Sequence, residues 1–156
     1  CRCVRGHRKQ MSADTDVLAA ITTRFLATKA LTVAIPGGLW TDRVPADRKL
    51  PYAVARSERA QEPEYFSYQG STDSYIDFRR VTMDIYGIGK AKVGGLIELF
   101  RATFDRQLFP TPARTRLMAC LANGDIKTEA DTTEKDGQDV FIGTLELLVT
   151  TERDMA

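Results

Sequence analysis

The chain has 156 residues, enough for one domain with a sizeable core. It is 43% hydrophobic and 28% charged, which predicts a globular fold, and no apolar run approaches the roughly 18 residues of a membrane span. The net charge is +1, becoming −3 once residues 1–10 are set aside, a mildly acidic body with no field that would gather nucleic acid; three cysteines (Cys1, Cys3 and Cys120) are too few and too odd for a disulfide framework and fit a reducing compartment.

Residues 1–10, CRCVRGHRKQ, hold four of the 22 Lys+Arg, the single histidine and no acid. Met11 then opens MSADTDVLAAI, which reads like a natural start. The first ten residues are read as a flexible basic arm or a non-native extension, and residues 11–156 as a single α+β domain. Leaving the four basic residues aside gives 18 basic against 21 acidic, a net charge of −3 and a mildly acidic body.

Val17, Leu18, Ile21 and Phe25 recur at helical spacing and predict a first helix over 14–30, with Ser12, Asp14 or Asp16 as its cap. Pro36 and two glycines break it. LWTDRVPADRKLPYAVARSE predicts two short strands around a turn, the better one over 51–57. Residues 59–76 are polar and aromatic with no period, which predicts a long loop. In DFRRVTMDIYG, Val81, Met83 and Ile85 alternate with Arg80, Thr82 and Asp84, the pattern of a half-buried strand. A second helix is predicted over 91–108, with Val93, Leu96, Ile97, Phe100, Phe104 and Leu108 as its apolar stripe and Pro110 and Pro112 as its stop. The last third predicts three strands: RTRLMACLA, DIKTEADTT and VFIGTLELLVTTE. The last two are joined by a turn at Asp136-Gly137, and the closing strand sets Phe141, Leu145, Leu147 and Val149 on one face. The sum is an α+β fold: an antiparallel or mixed sheet with two helices packed on one face.

Few residues offer chemistry. YGIGKAKVGG at 86–95 sits where a phosphate loop would, between strand and helix. It has Lys92 where a dinucleotide fingerprint needs its third glycine, and Ala91 where a Walker loop needs its hydroxyl. The simpler reading is a strand-to-helix turn in which glycine accepts positive φ, with Gly94 and Gly95 letting the helix lie close to the sheet or to a neighbouring subunit. The single histidine, His7, leaves little from which to build a catalytic pair, and no spacing of Cys and His matches a zinc site. Neither a catalytic residue, a metal nor a cofactor is expected. The acids of 125–139, among them Asp131, Glu134 and Asp136, form a solvated face, or an acidic rim that meets a basic partner or repels DNA inside a pore. Tyr65, Phe66 and Tyr68 stand in the aperiodic segment and are candidate interface anchors. Arg79 and Arg80 are candidates for pairing across subunits, and Glu98, Arg101 and Asp105 for contacts from the outer face of the second helix.

One pattern spans these elements. GGLWTDRVPADRKLPYAVA, with Trp40, Val44, Pro45, Leu50, Pro51 and Tyr52, resembles the signature of the tail-completion or tail-terminator proteins of long-tailed bacteriophages. RRVTMDIYGIGKAKVGGLIELFRATFD and DVFIGTLELLVTTE are similar to the strand, striped helix and closing strand of that family, so the likeness runs over roughly 14–151. It departs in having tryptophan where tyrosine is common, and in the basic arm. The resemblance implies a structural, non-enzymatic virion protein that is assembled in the host cytoplasm. It implies a self-associated ring, often hexameric, that caps the tail tube, joins a head-side connector or stopper protein, and lets genomic DNA through its lumen without reading it. It also implies a sheet that continues or packs between subunits. The alternatives are a head–tail adaptor or stopper in the same neck and, further off, a small nucleotide-binding protein.

Overall fold

The computed structural model describes residues 13–41, 43–66, 74–112, 115–135 and 138–154. Helix α1 spans Ala13–Ala27 and the short α2 spans Lys29–Ala34. Strand β1 (Leu39–Trp40) is followed by β2 (Tyr52–Phe66) and β3 (Ser74–Ile88). Helix α3 (Lys90–Phe104) leads into β4 (Thr115–Lys135) and β5 (Gln138–Asp154). The five strands form one sheet in the order β1-β2-β3-β5-β4, antiparallel except for the β1–β2 pair. The helices pack on one face, α1 over β2 and α3 over β3, β5 and β4. This is the α+β fold expected, with a third, short helix added.

The predicted first helix divides at Thr28, whose backbone is extended (φ −96°, ψ 96°). The Thr28 hydroxyl donates to the Arg24 carbonyl at 2.8 Å, the back-bonding that loosens a helix end. Val17, Ile21 and Phe25 point into the core as their spacing requires, and α2 adds Leu31. Asp16 is not a cap: it lies inside the first turn of α1. There its carboxylate accepts from the Thr115 hydroxyl at 3.0 Å and stands 3.7 Å from Arg153.

Three expectations are corrected by the strand pairing. The two strands around Pro45 do not form a hairpin. Leu39 and Trp40 pair in parallel with Ala53 and Val54, and the Ala53 N–H bonds to the Gly38 carbonyl. The described residues of 59–76 are strand. β2 runs to Phe66 and β3 starts at Ser74, with two register shifts on β2 between Arg59 and Glu64. Those shifts insert extra residues, erase the period of two and give Pro63 a place where no ladder N–H is needed. RTRLMACLA and DIKTEADTT are one 21-residue strand, bent by register shifts at Met118, between Asn123 and Lys127, and between Ala130 and Glu134. The shift at Met118 also turns Met118 and Leu121 outward while Leu117 and Cys120 stay inside.

On β3, Val81, Met83 and Ile85 are fully buried, and they stand opposite Leu147, Leu145 and Gly143 of β5. Over them lies α3, with Val93, Ile97, Phe100 and Phe104 inward. Phe100 stacks on Phe25 of α1 at 6.0 Å, and Phe109 meets the Phe104 ring edge-on at 5.7 Å. The helix stops at Phe104, four residues before the predicted end, and Leu108 is exposed rather than part of the stripe. Two contacts to β4 end it before the prolines do. The Asp105 carboxylate accepts the Ala122 N–H at 2.8 Å, and Arg106, in the left-handed region (φ 56°), donates its N–H to the Cys120 carbonyl at 2.7 Å.

The close approach of α3 to the sheet is made on the strand. A Cβ at Gly143 would fall 2.3 Å from Ile97 Cδ1 and 2.6 Å from Val93 Cγ1, whereas one at Gly94 or Gly95 would meet nothing within 4 Å. Gly143→Val is therefore expected to lift α3 off the sheet and cost about 3 kcal/mol or more, at the upper end of overpacking penalties, read as a lower urea midpoint with an unchanged slope.

At the far end of the same face the core turns ionic. Asp77 and Arg79 are buried, with 2.7 Å between carboxylate and guanidinium, and Arg59 stands 3.9 Å from the other carboxylate oxygen. Arg59 and Arg79 face each other across β2 and β3, so Asp77 separates two like charges that would otherwise repel. Asp77→Ala is expected to cost about 3–5 kcal/mol, because it leaves Arg79 charged and buried. Adding Arg79→Leu should recover most of that loss in a chemical denaturation cycle.

Candidate functional site

The described surface offers two sheet edges, a helix-free sheet face and a cleft. β4 ends the sheet on one side. On the other side β1 pairs with only Ala53 and Val54, so among the described strands the rest of the β2 edge has no neighbour. Open ladder edges of this kind accept another strand, and the shifts along β2 and β4 limit how flat a template they present.

The face away from the helices carries a polar ladder across four strands. Arg80 of β3 stands 3.1 Å from Glu58 of β2 and 3.0 Å from Glu146 of β5, and Asn123 of β4 donates to Glu146 at 3.1 Å. One step along, Asp84 takes the Thr144 hydroxyl at 2.9 Å and lies 3.4 Å from Arg56. These pairs are partly solvated, so each contributes little stability, and their effect is to keep the face polar and internally matched. Near its Ile88 end the face is roofed by the 43–50 loop: Tyr52 stacks on Tyr86 at 4.6 Å, and the Arg48 guanidinium lies 4.5 Å from the centre of the Tyr52 ring. Trp40 is half-buried and donates from Nε1 to the Gly37 carbonyl at 2.8 Å, which ties it to its own loop.

The residues singled out in the sequence fall into different places. Arg79 lies in the core beside Asp77, while its neighbour Arg80 is on the opposite face in the ladder just described. Glu98 and Arg101 are exposed on α3. Asp105 is committed to clasping β4, with Arg101 Nε 4.0 Å away. Tyr65 and Phe66 lie in β2 opposite Tyr75 and Ser74. Asp131 and Glu134 lie in β4, with Glu134 opposite Asp139. Tyr68 and Asp136 are outside the described residues. These candidates therefore do not gather at one spot; Tyr65 with Phe66, and Asp131 with Glu134, mark opposite ends of the sheet. The sequence reading missed Asp77 and Arg59 as structural groups; for Asp77 the signal was an acid at an inward position of the β3 alternation.

The glycine turn is structural. Gly89 has φ +85° and ψ 122°, which side-chain-bearing residues rarely adopt, and it caps α3 with no side-chain hydrogen bond. Among the described residues, no three or more of His, Cys, Asp and Glu are grouped so as to hold a metal, and no helix is long and apolar enough to cross a membrane. Cys120 is a buried free thiol. Burial, and then the nearby charge of Asp105, push its pKa from 9.0 up to about 12. It is therefore a protonated core residue and not a nucleophile at neutral pH. In a Cys1→Ser/Cys3→Ser background, Cys120 should resist a thiol reagent at pH 8 and react on unfolding. As pH rises past 9.0 the unfolded chain ionises first and the folded chain does not, so stability should fall between pH 9.0 and about 12.

No protein-family model and no curated protein matches the sequence. A solved structure does match: a chain from the virion of a native gene transfer agent (GTA) particle, 14% identical, with a TM-score of 0.57. The match covers 86% of this chain and 95% of that one. At that identity the likeness is one of fold, and it takes in nearly the whole of the other chain.

Proposed function

We propose that this chain is a structural, non-enzymatic virion protein of a tailed, phage-like particle. In this reading it self-associates into a ring, hexameric in the simplest form, that closes the tail tube and meets the head-side connector while DNA passes through. The observation that carries it is the fold likeness to a virion chain over 95% of that chain's length. The tail-terminator signature around Trp40, Pro45 and Leu50-Pro51-Tyr52 supports the finer placement. The two sheet edges suit association between identical copies, since a heterologous contact that closes on rotation makes a ring. The described residues offer surfaces for contact, and the buried, protonated Cys120 is no nucleophile.

The test is assembly. Light scattering and native mass spectrometry on the purified full chain, alone at high concentration and with tail tubes, should show a closed ring with about six copies. A chain that stays monomeric and ignores tubes overturns the reading. Rings that bind the connector side but never tubes would point instead to an adaptor or stopper.

A further inference from the structure

Asn123 is the single asparagine of the chain, and a glycine follows it. That pair is well suited to cyclise, because a residue without a Cβ leaves its backbone nitrogen open to the preceding side-chain amide. In a regular strand the reaction is blocked. The extended backbone holds the side-chain carbon and the next nitrogen apart, and the ladder keeps the backbone extended.

At Asn123 the regular ladder stops. Asn123 pairs with Glu146, and the next pair in the register is Lys127 with Thr144. Residues 124–126 thus stand opposite Leu145 alone, and the irregularity begins at the Asn123–Gly124 bond. β4 is also an end strand of the sheet. The Ala122 N–H points off that edge, to the Asp105 carboxylate at 2.8 Å, and alternation along the strand turns the Gly124 N–H outward as well. The Gly124 nitrogen can therefore turn toward Asn123 with no ladder bond to β5 to break first. Asn123 is exposed, and its Nδ2 donates to Glu146 Oε2 at 3.1 Å.

We propose that Asn123 is a site of spontaneous deamidation, with water as the second reactant. The Gly124 nitrogen bonds to Asn123 Cγ and gives up its proton, which leaves with the Nδ2 group as ammonia. The cyclic imide that remains takes up water at either carbonyl and opens to aspartate or to isoaspartate. No oxidant or reductant takes part. The product alters the polar ladder on the helix-free face. Asn123 and Glu146 are direct partners in the register, so a donor facing a carboxylate becomes a second carboxylate facing it. Arg80, already shared between Glu146 and Glu58, is left with a further acid to balance. β4 loses this side-chain tie to β5, and the face gains a negative charge.

Incubating the purified full chain at mildly alkaline pH tests the assignment, read by intact mass and ion-exchange chromatography. A more acidic species should accumulate with the mass change of one amide turned to acid, and peptide mapping should place it at Asn123. The folded chain should react within about tenfold of its rate in urea, since the irregular ladder and not global unfolding opens the site. Gly124→Ala should slow the reaction at least about tenfold. If that variant folds poorly, the folded parent against the parent in urea decides alone. Greater protection of the folded parent, modification that spares Asn123, or a folded Gly124→Ala chain that reacts as fast as the parent overturns the assignment. Asn123→Asp, which carries the product's charge, should lower the thermal midpoint by about 1–3 °C, and the loss should shrink in a Glu146→Gln background. An unchanged midpoint overturns the effect on the ladder.

Discussion

The missing side chain at Gly143 is what lets the two layers meet. It sits on a central strand, under the first turns of α3, and Val93 and Ile97 occupy the space that a Cβ would need. Once α3 is seated there, its remaining inward residues fix the other pieces. Phe100 holds α1 through Phe25, Phe104 receives Phe109, and Asp105 locks the end of the helix to the backbone of β4. Each fully buried aromatic or branched side chain in this row stabilises the fold by roughly 1.5–3 kcal/mol, so a helix held one methyl too high would loosen the whole layer.

The sheet has two unlike ends. Toward Thr151 and Arg153 the inner face is stitched by buried charge, with Asp77 between Arg59 and Arg79, and Asp16 reaching Thr115 and Arg153. Such groups hold their geometry because each is costly to leave alone. Toward Ile88 the inner face gives way to the apolar cleft, and the edge hairpin projects beside it. The helix-free face, matched within itself by Glu58, Arg80, Glu146 and Asn123, is polar without a dominant sign.

Much of the fold was legible because its periods were clean. Val81, Met83 and Ile85 on β3, Leu145, Leu147 and Val149 on β5, and the stripe from Val93 to Phe104 all face inward as their spacing says. The misreadings share one cause, a local irregularity that only pairing explains. Extra residues on β2 hid a strand inside an apparent loop, and those on β4 split one strand into two. The helix ended at Asp105 because a backbone N–H from residue 122 was waiting there, which no helical pattern records. The candidate site was less legible. Arg79 and Arg80 are adjacent in sequence yet lie on opposite faces, one buried with Asp77 and the other in a surface ladder.

Composition and periodicity were enough to set the class of fold, the inward faces of the main strands and helices, and the incompleteness of the phosphate-loop motif, since these depend on residues near one another in the chain. The parallel return of β1, the seating of α3 on Gly143 and the burial of Arg79 beside Asp77 were decided only in three dimensions. Each joins residues far apart in the chain, and whether a charge is buried or a glycine is a turn or a seat depends on what the fold brings against it.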